Sequence, residues 1–368
     1  MITRTKHLGR AKKLLLIPIL CVFVTACTAI QGNRGSDDTL QKKIQAFEER
    51  LRVLESGQAP ITGLLIQARA ATAYIRGQYT FVDAVGRPLR HVLNDVGEPI
   101  ADPQGVPLVD TTGSGDIAIT EYCGTAFLVD WRGDLLTNRH IAEPWWEDES
   151  SEPLLAAGLR PVFLRLRAFF QERPQAVTIE VVRVHAEQDI ALIRTMGWIP
   201  MAEPLPLYTE PQQLEEGQPV IMMGYPTGLD AILARLDYSE RAKLEAETGG
   251  KGYRMVERLA EARELRPSIT GGYLWEVLPN TLVYDARTGP GGSGGPLLDH
   301  HGRVIGVNAA YLPTFHGGNY AIPIRYGQLL LGGGGLTVIE ASRETTDLAL
   351  IPHRSQEAQT AKDSIKNQ

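Results

Sequence analysis

Thr288-Gly289-Pro290-Gly291-Gly292-Ser293-Gly294-Gly295-Pro296-Leu297-Leu298 sets one serine among five glycines and runs straight into a proline and an apolar pair. Glycine weakens helix and strand interiors alike, so the stretch reads as a tight turn. Such a turn lets backbone approach backbone and aims N–H groups at one spot beside a serine hydroxyl, which is what a nucleophile with an anion-binding nest requires. A flexible Gly/Ser loop fits the same residues. What separates the two readings lies upstream.

A serine hydroxyl is a weak nucleophile; it needs a histidine to take its proton and a carboxylate to orient and stabilise that imidazole. The chain offers both. His140 closes the strand-like run Leu135-Leu136-Thr137-Asn138-Arg139, and Asp189 precedes Ile190-Ala191-Leu192-Ile193. Thr137-Asn138-Arg139-His140, Asp189-Ile190-Ala191-Leu192 and Gly291-Gly292-Ser293-Gly294-Gly295-Pro296 closely resemble the His, Asp and Ser motifs of trypsin-like serine proteases, in matching order and spacing. Within that superfamily the chain is most similar to the bacterial HtrA-type branch. The similarity rests on the Thr-Asn-x-His form, on Gly224-Tyr225-Pro226-Thr227-Gly228, and on Gly306-Val307-Asn308-Ala309 followed by Tyr320-Ala321-Ile322-Pro323.

The resemblance implies an all-β fold of two six-stranded antiparallel barrels, chymotrypsin-like, cutting polypeptides without metal or cofactor. It makes Ser293 the nucleophile, His140 the general acid/base and Asp189 its orienting partner, with an oxyanion hole from the N–H groups of Gly291 and Ser293. It brings Arg287 and Thr288 to the primary specificity pocket and lays Asn308, Ala309 and Ala310 along the substrate backbone. Thr288 would make that pocket more polar than the aliphatic one of HtrA-type enzymes; Arg287 either favours an acidic residue or points to solvent. Two departures matter. Gly292 stands where digestive-type relatives carry the aspartate of zymogen activation, and the residues after Leu331 leave no room for a PDZ domain. The alternative is a protein of the same fold that binds polypeptide without cutting it.

The rest of the chain reads independently of the resemblance. From Ile117 to Ile193 apolar stretches alternate with turns, as in an all-β barrel or sandwich. Before them, Gly86-Arg87-Pro88-Leu89, Gly97-Glu98-Pro99-Ile100 and Gly105-Val106-Pro107-Leu108 share a Gly-x-Pro-apolar unit. These are turn signals, and their unequal spacing fits a surface excursion between two strands rather than a solenoid. Residues 229–265 break the β pattern with Ala, Leu, Glu and Arg at helical spacing, predicting a helical hairpin inserted in the protease-like domain. Cys123, in a strand-like run, reads as a buried inert thiol, and His185, His300 and His301 as surface residues. Asp285 rivals Asp189 in chemistry but sits on the strand entering the serine turn.

The N-terminus adds an address. Residues 1–26 carry five basic residues and no acid around an apolar run from Leu14 to Val24, a secretory signal too short to span a bilayer comfortably. Val24-Thr25-Ala26-Cys27 resembles a bacterial lipobox, which implies acylation of Cys27 and a membrane anchor. Thr28, where an aspartate would signal inner-membrane retention, implies the outer membrane facing the periplasm. Without its signal the chain's net charge moves from −6 to −11, which disfavours nucleic acid as a partner. Residues 27–60 form a tether and a short helix whose Leu40, Ile44, Phe47, Leu51 and Leu54 follow a heptad seam. That helix fits either a homo-oligomer through residues 40–55 or packing on its own domain. The protease-like domain is expected over residues 61–335, followed by a polar tail, 336–368.

Overall fold

The computed structural model describes residues 62–197, 202–209, 214–311, 318–334 and 336–337. The signal, Cys27, the heptad helix and all but the first two residues of the tail lie outside them. In chain order the elements are α1 (residues 62–71), β1 (Thr72–Val82), β2 (Arg90–His91), β3 (Val109–Asp110), β4 (Thr120–Leu128) and β5 (Asp134–Thr137). There follow α2 (Arg139–Ala142), α3 (Glu152–Ala156), β6 (Arg160–Phe170), β7 (Val177–Val184), β8 (Ala191–Thr195) and β9 (Pro219–Gly224). The second half holds α4 (Leu229–Leu233), α5 (Tyr238–Thr248), α6 (Gly252–Glu261), β10 (Ser268–Val277), β11 (Leu282–Tyr284) and β12 (Pro296–Asp299). It ends with β13 (Val304–Tyr311), β14 (Asn319–Pro323), α7 (Arg325–Leu331) and β15 (Leu336–Thr337).

The strands close into two antiparallel barrels. The first runs β7-β6-β1-β4-β5-β8 and shuts through β7–β8, with β15 added along β7; the second is β10-β11-β14-β13-β12-β9. Closure removes the open edges of each six-stranded ring. Strand-forming residues fill the interiors: Ile75, Phe127, Leu135, Leu136, Ile190 and Leu192 in the first, Met223, Leu274, Tyr284, Leu297, Val304 and Val307 in the second, each 2% exposed or less. One continuous hydrophobic cluster joins them.

A single turn design punctuates the chain. An Asp or Asn opens the turn, its side-chain oxygen accepts the N–H two residues on, and a glycine follows at the fourth position. Asp83, Asn94 and Asp102 each also accept a second N–H, from Arg87, Glu98 and Val106. Asp130 and Asp299 build the β4–β5 and β12–β13 hairpins in the same way. The short side chain of Asp or Asn substitutes for a backbone turn, and glycine takes the left-handed residue. The Gly-x-Pro units are three such hairpins between β1 and β4, the excursion expected from sequence.

The insert differs from the expected hairpin by one helix. Leu229–Glu247 is interrupted after α4, because Asp237 and Glu240 form a reciprocal capping box that starts α5 afresh. α6 is strongly amphipathic and buries Tyr253, Met255, Val256, Leu259 and Ala260. The insert leaves the chain from the second barrel yet packs on Tyr74 of β1 and Phe169 of β6, in the first. Arg165 of β6 stacks 4.8 Å over the Tyr253 ring. Each fully buried side chain in such a cluster contributes roughly 1.5–3 kcal/mol, so the docking is firm.

Candidate active site

Adjacent strands of the first barrel deliver two of the expected residues. β5 and β8 pair with Thr137 opposite Ala191, so the residues just past the end of one lie beside those just before the other. His140 sits in α2, and its Nδ1 lies 2.7 Å from Asp189 Oδ2. The other carboxylate oxygen, Oδ1, accepts the His140 backbone N–H at 3.0 Å. Asn138, fully buried, donates its side-chain amide to the Asp189 carbonyl at 2.7 Å. Asp189 is itself held through its carbonyl, and its carboxylate holds His140 at two points, the ring Nδ1 and the backbone N–H.

The second barrel delivers Ser293. The Gly292 N–H bonds the Gly289 carbonyl and the Gly295 N–H that of Gly292, which folds the turn on itself. Gly294 and Asn308 then exchange bonds that tie the turn to β13, Gly294 N–H to the Asn308 carbonyl at 2.8 Å and Asn308 N–H to that of Gly295 at 2.9 Å. The β13–β14 ladder slips register between Asn308 and Ala310, a bulge that turns Ala309 out of the pairing. Ser293 Oγ donates to the Ala309 carbonyl at 3.2 Å. Its hydroxyl is thus parked on β13 and not on His140, a rotamer that a turn about χ1 changes.

The N–H groups expected to form the oxyanion hole have no partner among the described residues. The Pro290 carbonyl accepts the Thr227 N–H at 2.5 Å. A planar trans peptide then puts the Gly291 N–H on the opposite side. Among the described residues neither that N–H nor the one of Ser293 meets an acceptor. Gly291 is at φ +87°, and a Cβ there would lie 2.7 Å from the Tyr225 carbonyl, so the position admits glycine alone. Thr227 itself, a non-glycine at φ +57°, is strained.

Thr125 was invisible to sequence reading and holds the two barrels in register at this point. Its N–H donates to the Ser293 carbonyl at 2.8 Å and its Oγ1 to the Gly291 carbonyl at 2.8 Å, while it accepts the Tyr225 N–H at 3.1 Å. Its own carbonyl accepts Thr137 Oγ1 at 2.7 Å. Nothing in Gly124-Thr125-Ala126 distinguishes it from any strand threonine.

The remaining candidates are dispersed. Arg287 is exposed, and its carbonyl accepts Thr270 Oγ1 at 2.6 Å. Thr288 is half-buried and bonds Asn308 Nδ2 at 3.3 Å. Ala310 stands opposite Tyr320 in the β13–β14 ladder. Asp285 accepts the Tyr273 N–H at 2.5 Å and so braces β10. His185 Nδ1 accepts the N–H groups of Glu187 and Gln188, capping the turn before Asp189. The rings of His300 and His301 lie 3.8 Å apart at the surface. Cys123 is free and half-buried, packed against the insert's cluster.

Two closed barrels, one ending in a paired histidine and aspartate and the other in a glycine-flanked serine, are the architecture of a trypsin-like peptidase domain. The chain belongs to that family: the model of the trypsin-like peptidase domain matches residues 124–307, half of its length. It is 27% identical over 211 residues to protease Do-like 1, chloroplastic, of Arabidopsis thaliana, covering 56% of this chain and 38% of that one. It is 26% identical over 207 residues to the putative serine protease HhoB of Synechocystis, covering 56% and 38%. A probable periplasmic serine endoprotease, DegP-like, of Chlamydia trachomatis is 27% identical over 205 residues, 54% of this chain and 31% of its own. The chain therefore spans well under half the length of these relatives. Among solved structures, the HtrA-type protease AlgW with decapeptide aligns with 74% of this chain and 66% of its own at 17% identity, TM-score 0.43.

Proposed function

We propose that the protein is a serine endopeptidase that works outside the cytoplasm. The observation that carries this reading is the two-point grip of Asp189 on His140 at the mouth of a barrel whose neighbour presents Ser293. In this mechanism Ser293 Oγ leaves the Ala309 carbonyl for His140 Nε2 when a peptide docks, and attacks the scissile carbonyl as the imidazole takes its proton. Asp189 stabilises the imidazolium that forms. The N–H groups of Gly291 and Ser293 receive the oxyanion, where one donor is worth roughly 10²–10³ in turnover. The imidazolium then protonates the leaving amine, and water completes the cycle by the reverse path.

A fluorophosphonate probe tests this directly. Stoichiometric labelling that maps to Ser293 by peptide mass analysis is the expected result. A folded protein that stays unlabelled, and that fails to digest casein after heating, would leave polypeptide binding as its role.

The proposal extends to location and control. Acylation of Cys27 after removal of residues 1–26 would tether the enzyme to the cell envelope, at the outer membrane facing the periplasm, with residues 40–55 available for self-association. Its substrates would then be envelope polypeptides, in protein quality control. Among the described residues no helix is long and apolar enough to cross a membrane. The root of the insert, Thr227, orients the Pro290–Gly291 peptide, which supports a gating role for residues 229–265. Replacing those residues by a short Gly/Ser linker should cut peptide turnover at least tenfold while the fluorophosphonate-free protein keeps its β-sheet circular dichroism; unchanged turnover would remove the gate from the proposal.

A further inference from the structure

Position 139 is the open place in the Thr-Asn-x-His form, and here it holds an arginine that is far from solvated. Arg139 stands in α2 between Asn138 and His140, its side chain 14% exposed. Its Nε bonds Glu143 Oε2 at 2.9 Å, one helical turn on. Its Nη1 donates to two carbonyls, those of His185 and Ala186, each at 3.1 Å. The guanidinium carbon lies 4.6 Å over the Trp146 ring. The planar group thus meets a carboxylate, two carbonyls and an aromatic face at once, which the point charge of a lysine does not reproduce.

The two carbonyls belong to the turn that carries Asp189. That turn joins β7 to β8 and is closed by the His185 N–H on the Ile190 carbonyl at 3.0 Å and by the Ile190 N–H on that of Gln188 at 2.8 Å. The His185 ring caps it from within and packs edge-on against Tyr326 of α7, centroids 5.1 Å apart. Three consecutive residues hold this one turn. Asn138 and His140 both act on Asp189 itself, at its carbonyl and its carboxylate. Contacts gathered on a single residue leave the turn free to pivot about it. Arg139 adds a separate hold at residues 185 and 186, and two separated holds fix the direction in which the carboxylate points.

We propose that Arg139 is a positioning residue for Asp189: by pinning residues 185 and 186 to α2, it keeps the carboxylate aimed at both the ring and the backbone N–H of His140. The inference rests on the endopeptidase reading above and deepens it. Arg139 acts through Asp189, so its loss shows as a misaligned imidazole, for which about 10- to 100-fold in rate is typical.

The full chain carrying Arg139→Ala tests this in three readouts. On one peptide kcat should fall about 10- to 100-fold while KM stays within about threefold. In an Asp189→Asn background the same change should cost less than about threefold in kcat, because a residue that acts through Asp189 then has no carboxylate to position. A merely structural arginine would lower both backgrounds alike. Without any substrate, the downfield proton resonance of the hydrogen bond between His140 Nδ1 and Asp189 should be present in the wild type. It should be lost or broadened in Arg139→Ala under conditions where the two proteins have the same β-sheet circular dichroism. Should Arg139→Ala fail to fold, Arg139→Lys, which keeps the charge without the fork, must show the same pattern at smaller amplitude. An unaltered resonance, or equal losses in the two backgrounds, overturns the inference. A wild type that shows the resonance but neither takes the fluorophosphonate nor cuts peptide takes down the endopeptidase reading instead, and the response of the resonance to Arg139→Ala then decides the positioning by itself.

Discussion

If the protein is the endopeptidase proposed, replacing Asp189 by asparagine should lower kcat for peptide hydrolysis about 10⁴-fold and leave the fold intact. The reason is in how the carboxylate is shared. One oxygen accepts the His140 backbone N–H at 3.0 Å, and the other lies 2.7 Å from His140 Nδ1. An asparagine must keep its oxygen toward the backbone N–H, because the alternative sets donor against donor. Its amide N–H₂ then faces Nδ1. That selects the tautomer with the proton on Nε2, and an imidazole already protonated there cannot take one from Ser293. The measurement is kcat and KM on one peptide, with the thermal midpoint as a fold control. A loss smaller than about tenfold would mean that His140 is oriented by something other than Asp189.

The largest effect on stability is expected at Gly294. Gly294→Ala should cost more than about 4 kcal/mol, enough to unfold a domain of ordinary stability in part. The residue is at φ +84°, and a Cβ there would overlap both the Thr125 carbonyl oxygen and Thr137 Oγ1. Those two atoms bond each other across β4 and β5, so neither can withdraw without breaking the contact. Gly249→Ala separates conformational strain from steric overlap. It caps α5 at φ +63° with nothing within 4 Å of its Cβ, and should cost only about 1 kcal/mol. Urea unfolding of both variants checks the contrast; equal losses would mean that the overlap relaxes.

Most of what could be read from the chain beforehand was chemistry confined to short windows. His140, Asp189 and Ser293 announce themselves because each needs specific neighbours: a strand end, an apolar continuation, a ring of glycines. The turns were legible too, since Asp or Asn followed by glycine has a local mechanism. Features that act across space were not. Thr125 meets Gly291 from 166 positions away in the chain, and a threonine in a strand carries no mark of that. Thr227 adopts a conformation its residue type disfavours, so propensity argues against it. The split of the insert is the opposite case: Asp237-x-x-Glu240 is a helix-start signal that helical spacing on either side outweighed.

The three-helix insert changes how the molecule comes apart. Two barrels joined by ordinary loops could lose structure one at a time. Here a segment rooted at the end of β9 places its apolar side on β1 and β6, so opening either barrel strips the cover from the other's appendage. The two would therefore melt as one cooperative unit, and partial opening, the state in which a protease is most vulnerable to a second copy of itself, would be scarcely populated.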